Sequence, residues 1–138
     1  MSGYISTLLR KAIRERTGFR WKYCLIPEDA SFFPFEPDHI IALKHRSSSE
    51  LPNLACRCLE CNRLKGIDLA SIDPETGLIV RLFHPRLVLW SDHFELRGDL
   101  IAPRTAIGRA TEYLLQSNRP IAVSARRHLL MRGRHSLA

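Results

Sequence analysis

Apolar residues near the start of the chain recur at helical spacing. Ile5, Leu8, Leu9, Ala12 and Ile13 share one face, while Arg10, Lys11, Arg14 and Arg16 lie largely on the other. This predicts a helix over Ile5 to Arg16, started by Ser2 or Ser6 and stopped at Thr17-Gly18, where glycine is free to turn left-handed. Trp21 to Ile26 reads as a short strand or the arm of a knuckle, and Ser31 to Ile41 as extended chain. Pro34 and Pro37 oppose helix there. Pro37 also withholds a ladder donor, so its strand belongs at an edge or has an irregular end. Lys44 to Ser49 is a polar loop, and Cys61 to Leu69 a short helix.

Further on, Asp73-Pro74-Glu75-Thr76-Gly77 is a strong turn signal between that helix and a strand over Leu78 to Phe83. Val88-Leu89-Trp90 continues as extended chain. His93 to Leu96 and Leu100 to Ala102 pair as a hairpin around Arg97-Gly98-Asp99. Thr105 to Ser117 carries a helical stripe of Ile107, Ala110, Leu114 and Leu115. Asn118-Arg119-Pro120 breaks it, and Ile121 to Met131 forms a last basic helix. The order of elements predicts an α+β fold. With no repeat or low-complexity linker to divide it, the chain is expected to be one domain, with a helical extension over about 105–132.

Charge narrows the picture. The 138 residues carry a formal net charge of +7 and are 45% hydrophobic, with a pI near 9.7. Folded protein follows from the apolar content, and a polyanionic partner from the charge, since binding releases condensed counterions. Basic residues concentrate at Arg10, Lys11, Arg14, Arg16, Arg20 and Lys22, and again at Arg126, Arg127, Arg132 and Arg134. No apolar run approaches the roughly 18 residues of a membrane span, and no charged stretch followed by an apolar one opens the chain. The expectation is a soluble, cytoplasmic protein that makes no membrane contact.

Cys24, Cys56, Cys58 and Cys61 make up the cysteines. Three of them fall within one short segment, where disulfides would be strained, so metal ligation explains them better. Cys58 and Cys61 have zinc-knuckle spacing.

These cysteines close an ordered series: Glu36-Pro37-Asp38-His39-Ile40, then Asn53-Leu54, then Cys58-Leu59-Glu60-Cys61-Asn62-Arg63-Leu64-Lys65-Gly66. The series resembles the HNH endonuclease family, whose catalytic unit is a β-hairpin and helix around one divalent metal. The resemblance implies this ββα-metal core over about 21–70, with flanking helices and a β-hairpin beyond it. It implies phosphodiester hydrolysis in DNA, with His39 as general base, since a histidine titrating near neutrality can take a proton from water. Asp38 and Asn62 are implied as oxygen ligands of Mg²⁺ or Mn²⁺, hard ions that need few protein ligands. Many family members carry histidine where Asn62 stands. Asn53 matches the middle asparagine of the motif, and its amide is expected to hold the hairpin so that His39 keeps its orientation. Glu36 is either a partner of this group or a solvent-facing strand residue.

In the family a second Cys-x-x-Cys usually completes a structural zinc site. Here the corresponding segment is Trp21-Lys22-Tyr23-Cys24, so Cys24, Cys58 and Cys61 supply three thiols and tryptophan stands at the fourth position. Either Trp21 fills the space and zinc is weak or absent, which is the expectation, or Cys56 swings in as a replacement. Downstream, Leu82 to Arg86, Trp90 to Phe94 and Ile107 to Thr111 resemble segments of a bacterial subgroup. Lys65 and Arg86 are candidate phosphate contacts. His93 with Asp92 either lines the cleft, or Trp90 and Phe94 are core and the charges surface. The alternative to a nuclease is a nucleic-acid-binding module of the same fold without cleavage, against which the intact Asp38, His39 and Asn62 set counts.

Overall fold

The computed structural model describes residues 5–16, 23–26 and 36–133. Ser2, Thr17-Gly18, Trp21, the start of the extended segment before Glu36, and Arg134 lie outside these residues. The side chains of Arg14, Arg16, Glu36 and Cys56 do too.

Helix α1 runs Thr7–Arg16. Ser6 caps it, its hydroxyl accepting from Leu9 N at 3.1 Å. Ile5 and Ile13 are buried, but Leu8 is 79% exposed, so the inward stripe is narrower than the spacing suggested.

Strand β1 (Glu36–His39) pairs antiparallel with β2 (Leu54–Arg57), with Asp38 opposite Ala55 and His39 opposite Leu54. Among the described residues the sheet has only these two strands, which puts Pro37 at an edge, where its missing donor is tolerated. The loop between them is more ordered than its polarity implied, with single 3₁₀ turns at Leu43–His45 and Leu51–Asn53.

Helix α2 runs Leu59–Lys65. It begins earlier than expected because the Cys58 sulfur serves as its cap, accepting from Cys61 N at 3.3 Å. Gly66 ends it at a φ of 50°.

Strand β3 (Ala70–Ile72), which the sequence reading missed, pairs with β4 (Ile79–Arg81) across the expected Asp73–Gly77 turn. The Val88-Leu89-Trp90 segment is not a strand. Leu87 N and Val88 N both turn back to His84 O, and a short helix α3 follows at Trp90–His93. The hairpin of β5 (Phe94–Arg97) and β6 (Leu100–Pro103) forms around Gly98-Asp99 as expected. Helices α4 (Ala106–Leu115) and α5 (Pro120–Met131) complete the order, with Thr105 capping α4 and Pro120 opening α5.

One cluster joins these parts: Ile5 and Ile13 of α1 with Leu54, Phe83, Phe94, Ile101, Leu115 and Ala122. Trp90 stacks on Phe94 with ring centroids 5.2 Å apart. Among the described residues, no helix is long and apolar enough to cross a membrane.

Two arginines hold the architecture from inside. Arg126, counted in the sequence among the basic residues of the last helix, is fully buried. Its Nε donates to Asp99 O at 2.8 Å, Nη1 to Cys24 O at 3.1 Å and Nη2 to Ser117 O at 2.8 Å. Arg109 of α4 clasps Asp73 through Nε and Nη2, each at 2.9 Å, and so pins the β3–β4 turn to the helix. That guanidinium holds the Asp73 carboxyl well below its usual range.

Candidate active site

Asp38 and His39 end β1 and are half-buried. Beyond them the chain bends, and Ile40 N donates to Asn53 O at 2.8 Å. The Asn53 side chain spans the loop: its Oδ1 accepts from Ile41 N at 2.9 Å, and its Nδ2 donates to Ile41 O at 3.0 Å and Ser48 O at 2.8 Å. An amide carries both donor and acceptor, which this double clamp needs. Next to Ser48, the Ser49 hydroxyl lies 3.0 Å from His39 Nε2. Asn53 therefore touches the histidine's environment at one remove, through the loop it fixes.

Asn62 lies on α2, half-buried. One turn later on the same face stands Lys65, only 2% exposed, and its Nζ donates to Ile40 O at 2.7 Å. This bond ties the helix face bearing Asn62 to the strand end bearing Asp38 and His39. The candidate phosphate contact Lys65 is thus placed inside, with its ammonium on a backbone carbonyl. Arg86 is half-buried, with Nε and Nη2 enclosed by protein. Exposed basic side chains nearby are Arg63 on α2 and Arg81 on β4.

A cavity of about 220 Å³ opens beside Ile40 and Ile41 and is lined further by Lys65, Asp68, Arg81 and His84. Burial lowers the pKa of His84, and the Arg86, Lys65 and Arg81 cations lower it further. A larger hollow between α2 and α4, lined by Leu64, Glu112 and Arg119, includes none of Asp38, His39 or Asn62.

His93 packs within the fold. Its Nδ1 lies 2.6 Å from the Thr105 hydroxyl that caps α4, and its ring meets the edge of Phe83. Asp92 is exposed, Phe94 is core and Trp90 packs against it, which favours the structural reading of that segment.

The sulfurs of Cys24, Cys58 and Cys61 all lie within 4.8 Å of one another, buried. Arg119, read in the sequence only as part of a helix break, faces them: Nη2 donates to Cys58 Sγ at 3.3 Å and Nη1 to Cys61 Sγ at 3.9 Å. Hydrogen bonds from the Cys24 and Cys61 thiols, with help from Arg119, hold Cys58 far below an ordinary thiol. Burial pushes Cys24 up. At Cys61 the Cys24 thiol lowers the pKa, but the bond to Cys58 and burial outweigh it. Three soft donors converging in this way could hold one metal ion.

Sequence reasoning missed Ser49 and Arg119 as members of these two groups. Ser49 sits in a run of serines without local pattern, and Arg119 reaches the sulfurs from a distant part of the chain.

The HNH endonuclease family model matches residues 22–67, the span from just before Cys24 to just beyond α2. The β1–β2 hairpin and α2 fall within that match, and the structure around them is α+β. No curated protein and no solved structure matches the chain.

Proposed function

We propose that this protein is a divalent-metal-dependent endonuclease that hydrolyses phosphodiester bonds in DNA. The observation that carries the reading is the junction of β1 and α2, where Lys65 locks the Asn62 face of the helix onto the strand end that holds Asp38 and His39. Asp38 offers a carboxylate and Asn62 an amide carbonyl, a hard-oxygen pair that fits Mg²⁺ or Mn²⁺ better than softer ions. An ion held by Asp38 and Asn62 would supply charge neutralisation at the scissile phosphate.

The chain's own groups do the rest. His39 removes the proton from the attacking water. The Ser49 hydroxyl, 3.0 Å from His39 Nε2, holds the ring in one orientation. Asn53 fixes the loop that carries Ser49. Exposed Arg63 and Arg81 supply phosphate contacts, and the net charge of +7 supplies affinity that depends on salt more than on sequence.

The C-terminal helix contributes less to this than its composition implied. Arg126 is internal, and Arg127 is paired with Asp99 at 2.6 Å.

Incubation with supercoiled plasmid and Mg²⁺ or Mn²⁺ tests the reading. Nicks that DNA ligase reseals, and so carry 5′-phosphate and 3′-hydroxyl ends, are expected. Intact plasmid under every metal condition would contradict it.

A further inference from the structure

We propose that the turn after β1 is a phosphate clamp for duplex DNA, in which Lys44 and Arg46 each take one phosphate flanking the scissile bond. The inference rests on the nuclease reading for its substrate, and it is tested by binding without cleavage.

Strand β1 ends at His39, and the chain soon enters the 3₁₀ turn of Leu43–His45. Lys44, His45 and Arg46 are all exposed. Other exposed cations are already spent, Arg97 on Glu95 and Arg127 on Asp99. Among the described residues, Lys44 and Arg46 have no carboxylate within ion-pair distance. Arg46 moreover closes the turn at a φ of 60° and a ψ of 37°. Glycine adopts that left-handed setting freely and an arginine does not. A strained backbone that carries an exposed cation, unpaired within the described fold, points to use by a ligand.

The turn is also held in place. His45 Nε2 donates to Ile67 O at 3.2 Å, just past α2, and the Ser47 hydroxyl donates to Ile41 O. Asn53 Nδ2 donates to Ser48 O at 2.8 Å, and Ser49 beside it meets His39. The backbone that carries Lys44 and Arg46 is thus fixed to the site before DNA arrives, which lowers the ordering cost of binding. From His39 to Lys44 the chain reaches no further than about 18 Å, or about five phosphates of rise along one strand. Both cations therefore work on the stretch of backbone that would be cut.

Anisotropy of a fluorescent DNA duplex, titrated with the full chain at several salt concentrations without added divalent metal, counts the contacts. Each phosphate contact adds about 0.9 to the slope of log affinity against log salt. Lys44→Ala and Arg46→Ala should each lower the wild-type slope by about 0.9, and the double variant by about 1.8. Arg46→Lys should keep it. Arg46→Gly suits the left-handed backbone, so it should melt no lower than wild type and still lose as much slope as Arg46→Ala.

Unchanged slopes in Lys44→Ala and Arg46→Ala would overturn the clamp. So would an equal loss in Arg97→Ala, because that result reports net charge and not the turn. Slope losses on duplex RNA of the same length, with none on DNA, would overturn DNA as the partner. Plasmid nicking with metal is scored separately. A wild type that nicks while the variants keep its slope sinks the clamp alone, whereas slope losses in a chain that never nicks sink the nuclease reading alone.

Discussion

Ser49 Oγ and His39 Nε2 lie 3.0 Å apart, across a loop that Asn53 holds closed. A partner on one ring nitrogen fixes how the ring is turned and biases its tautomer. Ser49→Ala should slow cleavage by about tenfold, well short of the 10²- to 10⁴-fold typical of removing a general base. It should also shift the acid limb of the pH–rate profile, and Ser49→Thr, which keeps a hydroxyl, should restore much of both. A profile that does not move in Ser49→Ala would separate Ser49 from the chemistry.

Asp38 and Asn62 are proposed to share one ion, so their losses should not multiply. Asp38→Ala and Asn62→Ala should each raise the Mg²⁺ or Mn²⁺ concentration needed for half-maximal cleavage. The double variant should be far less impaired than the product of the singles. Rate measurements across a metal titration decide this, and strictly multiplicative losses would mean separate roles.

Gly108 sits where α4 crosses the end of α3. A Cβ added there would meet His93 O at 2.2 Å, a backbone atom that cannot swing aside. Alanine gains about 1 kcal/mol of helix propensity over glycine, but overpacking of this kind typically costs about 1–3 kcal/mol. The clash should win, and urea unfolding of Gly108→Ala should show net destabilisation.

The Asp73–Arg109 pair makes stability depend on acid. Because the folded carboxyl titrates below its ordinary value, its contribution is fully present above about pH 4 and is lost as pH falls towards the folded pKa. Asp73→Asn should be less stable than wild type at neutral pH. The gap should narrow as pH drops below about 4. Unfolding curves at pH 7 and in mild acid, compared for the two proteins, read this directly.

The legible parts of the fold were those set by local chemistry. The Arg97-Gly98-Asp99 hairpin, the Asp73–Gly77 turn and the α4 stripe of Ile107, Ala110, Leu114 and Leu115 all emerge from short-range pattern. Misreadings came where partners are distant. Val88-Leu89-Trp90 is apolar, but Leu87 and Leu89 are left exposed and, among the described residues, no strand pairs with them. Arg126 and Lys65 look like surface cations until the carbonyls of Asp99, Cys24, Ser117 and Ile40 are seen around them. The candidate site divides along the same line. Asp38, His39, Asn53 and Asn62 stand in an ordered motif, whereas Ser49 and Arg119 join their groups only through three-dimensional placement.

The most direct test of the central claim pairs two measurements on wild type and His39→Ala: plasmid nicking with Mg²⁺ or Mn²⁺ before and after EDTA, and DNA affinity under the same salt. Wild type should nick and stop on chelation, while His39→Ala should bind with unchanged affinity and cleave about 10²- to 10⁴-fold more slowly. Cleavage by His39→Ala at the wild-type rate, or wild-type cleavage undiminished by EDTA, would contradict the account.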